Sequence, residues 1–124
     1  MRNFESQNSI ARHEVVQIGT LDDAMSEVEL EYGSRRPYLK LDTQGYDLHV
    51  LDGGRRAMNR IMAMQLEASV KPIYSGMPDH PRAIAYAEAL GFELSGMFPV
   101  TVDEQLCVVE YDCVMVRPSA CSPG

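Results

Sequence analysis

The residues best suited to chemistry lie in the stretch Leu39-Lys40-Leu41-Asp42-Thr43-Gln44-Gly45-Tyr46-Asp47-Leu48. It reads as a strand, an acid, a glycine turn and then a helix. In open α/β sheets ligands bind beyond the carboxyl ends of the strands, so Asp42, Thr43 and Gln44 are expected to point at a site. Gly45 lets the chain turn sharply there. The alternative is that Asp42 only caps the following turn. Glu67 stands near the end of the next strand candidate, Gln65-Leu66-Glu67-Ala68. If the two strands are neighbours, about 4.8 Å apart, both carboxylates face one crevice. There they would act as base and orienter, bind a cation, or hold a substrate hydroxyl. The alternative for Glu67 is a strand-end acid in solvent.

Other chemistry-bearing residues read as structural. Glu110 and Asp112 share one face of the last apolar strand, where a buried acid must be paired, so a structural partner is expected. His13, His49 and His80 are scattered, with no i, i+4 pair and no Cys-x-x-Cys beside them, so no metal site is expected. Met58, Met62 and Met64 read as core fillers, and Cys107 and Cys113 as small core residues. Six residues of one strand separate those two cysteines by about 20 Å, too far for a disulfide.

The elements that must position these groups follow from periodicity and turn chemistry. Residues 1–13 are polar and read as an entering segment. Glu14–Ile18 is a short strand candidate. Thr20 with Asp23 resembles a capping box opening a helix whose inner face is Leu21, Ala24, Met25 and Val28. Gly33-Ser34-Arg35-Arg36-Pro37 ends it and leads into the strand Tyr38–Asp42. A helix from about Tyr46 carries Val50, Leu51, Met58 and Ile61, with Gly53-Gly54 as a weak point. Ile61–Val70 alternates as a strand, and Pro72 ends it.

Asp79-His80-Pro81 opens another helix, with Ala83, Ile84, Ala87 and Leu90 inside and Gly91 as terminator. Phe92–Met97 and Leu106–Val116 are two further strands. The last is apolar on both faces, the mark of an interior strand. Residues 118–124 are a polar tail. Strands alternating with helices predict a parallel α/β sheet, and two strands in succession at the end predict an antiparallel return.

Composition bounds the function. The 124 residues suit one small domain, with 45% hydrophobic and 23% charged residues. The net charge of −7 and the lack of any Lys/Arg block exclude a phosphate-neutralising surface, so no nucleic-acid partner is expected. Unbroken apolar runs such as Ile61–Met64 are only a few residues long, against roughly 20 for a membrane span. The start lacks the apolar stretch of a secretory signal, and a cytoplasmic protein with reduced cysteines is expected.

Taken in order, several pieces resemble the FkbM-type methyltransferases. They are Thr20-Leu21-Asp22-Asp23, Leu39 to Gly54, Gln65-Leu66-Glu67, Pro72-Ile73-Tyr74, Leu90-Gly91-Phe92 and Glu110 to Arg117. The resemblance spans about residues 15–117. It implies transfer of a methyl group from S-adenosylmethionine to a hydroxyl oxygen of a sugar or other small molecule, on a Rossmann-like sheet with one antiparallel strand. It implies catalytic roles for Asp42 and Glu67 and acceptor-binding roles for Thr43, Gln44 and Tyr74. Many members carry Glu where this chain has Gln44, and Gln cannot accept a proton, so that task falls to Asp42 or Glu67.

The family holds its cofactor on a glycine-rich turn after the first strand, and residues 1–40 contain no G-x-G turn after a strand. The chain is therefore expected to be the C-terminal half of such a domain, with residues 14–117 forming a partial methyltransferase domain and the cofactor residues unknown. The alternative is a non-catalytic fragment or interaction module. Without the missing half, the strand carrying Asp42 would present an open edge, which invites self-association.

Overall fold

The computed structural model describes residues 10–33, 35–71 and 79–118. The elements in chain order are α1 (Leu21–Tyr32), β1 (Tyr38–Lys40), α2 (Asp47–Asp52), β2 (Ala63–Ser69), α3 (His80–Ala89), β3 (Glu93–Val102) and β4 (Val108–Val116). The four strands form one sheet in the order β1-β2-β4-β3. β1 runs parallel to β2, and β4 runs antiparallel to both β2 and β3. Three strands therefore point one way and the last points back, as expected for part of a Rossmann-like methyltransferase sheet. The doubly apolar β4 is indeed interior.

Local chemistry sets the element ends. The Thr20 hydroxyl caps α1 by accepting the Asp23 N–H at 3.2 Å. Asp79 caps α3 by accepting the Arg82 N–H at 3.0 Å, with Pro81 in the first turn. Along β2, Met64, Leu66 and Ala68 are buried. Across the register they meet Cys113 and Met115 of β4, and Ala83 and Ala87 of α3 belong to the same core cluster. Behind it, the Arg117 guanidinium lies 4.4 Å from the centre of the Phe92 ring and donates to the carbonyls of Ile61 and Met58. The opposite side of β2, with Gln65 and Glu67, is half-open.

Several expectations are corrected. Glu14–Ile18 forms no strand, and Val15 and Ile18 are almost fully exposed. A strand needs a ladder partner, and no described segment offers one. Val28 is exposed rather than on an inner face. The second helix stops at Asp52, although Leu51, Met58 and Ile61 are all buried. The cause is Asp22: its carboxylate accepts the N–H groups of Ala57 at 2.8 Å and Arg56 at 3.3 Å, drawing the chain into turns.

A Cβ on Gly54 would lie 2.5 Å from Leu21 Cδ2, so this glycine is a close-approach point between α1 and that turn. β3 continues to Val102 through register shifts near Gly96, Pro99 and Thr101, which break the alternation a sequence shows. β4 begins only at Val108. Before it the chain turns through Leu106, which has φ +63°, and the Asp103 carboxylate accepts the N–H groups of Gln105 and Cys107, both at 2.9 Å. Cys107 is consequently exposed, not a core residue, whereas Cys113 is buried; both are free.

Candidate active site at the ends of β1 and β2

The site starts from the parallel register Tyr38↔Ala63, Leu39↔Met64, Lys40↔Gln65. The Leu41 N–H extends the ladder to the Gln65 carbonyl at 2.9 Å. Two residues further along that register, Asp42 comes level with Glu67. The structure thus brings together the two carboxylates the sequence singled out. Asp42 is exposed and Glu67 half-buried.

The turn beyond Asp42 is held by a residue the sequence reading missed. Asp47, only 1% exposed, points one carboxylate oxygen at Thr43, taking its backbone N–H at 3.1 Å and its hydroxyl. The other oxygen accepts the Glu67 N–H at 3.1 Å. A single buried side chain therefore fixes the β1 turn against the β2 end. Its signal was present in the sequence: an acid four residues after Thr43, at the first position of α2. Between these anchors Gln44 has φ +54° and Gly45 has φ +102°. A left-handed glutamine stores local strain of order 1 kcal/mol, a feature common where a loop is shaped for binding. Thr43 and Gln44 are both exposed on this turn. Tyr74 lies outside the described residues.

The half-open sheet face carries a polar row. The Tyr38 hydroxyl donates to Gln65 Oε1 at 3.0 Å, and Gln65 Nε2 donates to Asp112 Oδ2 at 2.9 Å. Asp112 is the cross-strand partner of Glu67. Glu110 accepts the Thr101 hydroxyl at 2.8 Å. Glu110 and Asp112 thus have the structural partners expected of them. They also act on Glu67: burial pushes its carboxyl up to about 7, and Glu110, Asp42, Asp112 and Asp47 add like-charge repulsion. A carboxyl that titrates near neutrality is suited to accept a proton and release it again. Burial, with Asp112 beside it, lifts the Cys113 thiol to about 11, so that group stays protonated and unreactive.

No group of side chains able to hold a metal ion occurs among the described residues. A cofactor cradle needs glycines opening onto free space beside backbone donors. The close-approach glycines here face the chain's own side chains instead: Gly54 meets Leu21, Gly91 meets Arg117 and Gly96 meets Phe98. Gly19 and Gly33 do open onto free space, but neither follows a strand, so the described residues hold no glycine-rich turn after a strand.

The parallel β1–β2 pair with interleaved helices and an antiparallel β4 is a mixed α/β arrangement compatible with part of a methyltransferase fold. The family model described as the methyltransferase FkbM domain matches residues 2–94, and the chain belongs to that family. Comparison with curated proteins and with solved structures found no match. Among the described residues, no helix is long and apolar enough to cross a membrane.

Proposed function

We propose that this chain forms the acceptor side of an FkbM-type methyltransferase that moves a methyl group from S-adenosylmethionine to a hydroxyl oxygen of a sugar or other small molecule. The observation that carries this reading is the Glu67 carboxyl, lifted to about 7 beside Asp42 at adjoining strand ends. Glu67 accepts the hydroxyl proton, leaving the oxygen its electron pair for the new C–O bond. Asp42 orients the hydroxyl, Thr43 and Gln44 line the acceptor's approach, and the family resemblance alone supports an acceptor-binding role for Tyr74. Asp47 is a positioning residue that acts through Thr43 and Glu67. We take residues 14–117 as the partial domain, with the glycine-rich cofactor turn supplied from outside it. The free thiols of Cys107 and Cys113 support a cytoplasmic setting.

A methyl-transfer assay with labelled S-adenosylmethionine and hydroxylated acceptors tests this on the full-length protein. Label should appear in a base-stable ether, and Glu67→Gln should lower the rate by about 10²-fold. Label on nitrogen or sulfur, or an unchanged rate in Glu67→Gln, overturns it.

The second reading, a non-catalytic module, is favoured by one observation: residues 1–40 hold no glycine-rich turn after a strand. Under it the chain works through its surfaces. The outer edge of the short β1 is unpaired among the described strands, which supports pairing with a second copy.

A further inference from the structure

A cleft of about 210 Å³ opens between α2 and α3, and its lining includes Gly45, His49, Asp52, Arg55, Arg82 and Tyr86. It adjoins the candidate active site. Gly45 belongs to the same turn as Thr43 and Gln44, and α3 leaves the end of β2 beside the Ser69↔Asp79 bridge. Its charges are unequal. Arg55 is matched by Asp52, which accepts from Nη2 at 2.8 Å and Nε at 3.0 Å. The Asp52 carboxylate, and behind it Tyr86, hold Arg55 above its ordinary pKa. For Arg82 only the backbone N–H is engaged, by Asp79; its guanidinium meets no acceptor among the described residues. Among the described residues Arg82 is thus a cation without an acceptor at this cleft, in a chain whose net charge is −7.

We propose that this cleft is a subsite for an anionic group, a carboxylate or a phosphate, carried by the methyl acceptor. Arg82 is the principal ligand and Arg55 the second. A guanidinium presents a planar fork of donors that matches either group, and it keeps its charge at every working pH. The anion takes the open side of Arg82, while Arg55, already oriented by Asp52, adds a donor from the same lining. Beside the cleft, Tyr46 is 60% exposed and stacks on His49 with ring centres 4.4 Å apart. That pair offers a flat apolar platform for the body of a ring whose charged substituent enters the cleft. The acceptor class is then an acidic or phosphorylated hydroxyl compound, such as a sugar acid or sugar phosphate. The word acceptor rests on the methyltransferase reading above; the anion site does not.

The test is an amide and side-chain NMR titration of the full chain with glucuronate, with glucose 6-phosphate and with glucose. A saturable response at Gly45, His49, Arg82 and Tyr86 is expected from one or both anions, and none from glucose. Response to glucuronate alone identifies a carboxylate site, and response to glucose 6-phosphate alone a phosphate site. Arg82→Gln should weaken binding by about tenfold or more, and Arg82→Lys by less, because it keeps the charge and loses the fork. Added salt should weaken it as well. An equal response to glucose, no saturable response to either anion, or unaltered binding in Arg82→Gln overturns the proposal. Turnover is not needed for this measurement. Absent anion binding with Glu67-dependent methyl transfer intact removes the subsite alone. Intact anion binding without methyl transfer removes the acceptor role and leaves the reaction reading to fall separately.

Discussion

The Asp47 carboxylate accepts the backbone N–H of Glu67 at 3.1 Å, joining the first turn of α2 to the end of β2. Because its other oxygen holds Thr43, the separation of the acceptor loop from Glu67 is set by one buried group.

Asp47→Ala leaves the Thr43 and Glu67 N–H groups without acceptors and should destabilise the chain by about 2–4 kcal/mol in urea unfolding. Asp47→Asn keeps one acceptor oxygen and should lose less. Where methyl transfer is measured, Asp47→Asn should also move the pH profile of turnover, since it removes one of the charges that raise Glu67. An unmoved profile would leave Asp47 with a purely structural role.

Stability should depend on pH through Glu67. Its folded pKa is about 7, against an ordinary 4.5. Between those values the folded state binds more of the proton than the unfolded state, so stability falls as pH rises from about 4.5 to about 7. Above that window this contribution is constant. Glu67→Gln cannot ionise and should flatten this part of the curve, which melting temperatures on either side of the window will show.

Gly54→Ala places a Cβ 2.5 Å from Leu21 Cδ2 and 3.0 Å from Leu21 Cβ. The cost should be about 1–3 kcal/mol by denaturant unfolding. The double variant Leu21→Ala, Gly54→Ala should lose less than the sum of the two single changes. Strict additivity would mean that the two residues do not press on each other.

Calorimetric titration of the 124-residue chain with S-adenosylmethionine should give weak binding or none, since its close-approach glycines are already filled by Leu21, Arg117 and Phe98. Micromolar binding would place the cofactor contacts within these 124 residues.

The parts legible in the sequence were those governed by local rules. The Thr20 cap, the Asp79-His80-Pro81 helix start, the alternation of β2 and the interior position of β4 follow from side-chain type and spacing alone. The meeting of Asp42 and Glu67 followed once β1 and β2 were taken as parallel neighbours. What escaped was set by contacts distant in sequence. Asp22 captures the turn at Arg56 and Ala57 across more than thirty residues, ending α2 where apolar spacing alone would extend it. The continuation of β3 past Pro99 depends on pairing with β4; the exposure of Cys107 is a local exception, set by the turn that Asp103 holds four residues earlier. By sequence Asp47 is simply an acid in the first turn of α2. Only the fold shows that the groups it satisfies belong to the site.

Proton acceptance at Glu67 requires a carboxyl held near neutrality, and carbon-13 NMR titration of its side-chain carboxyl measures that directly. The midpoint should fall at about 7 in the wild-type chain and move lower in Asp112→Asn, with one like charge removed. A midpoint at the ordinary 4.5, unchanged in Asp112→Asn, would contradict the role of Glu67 as the proton acceptor.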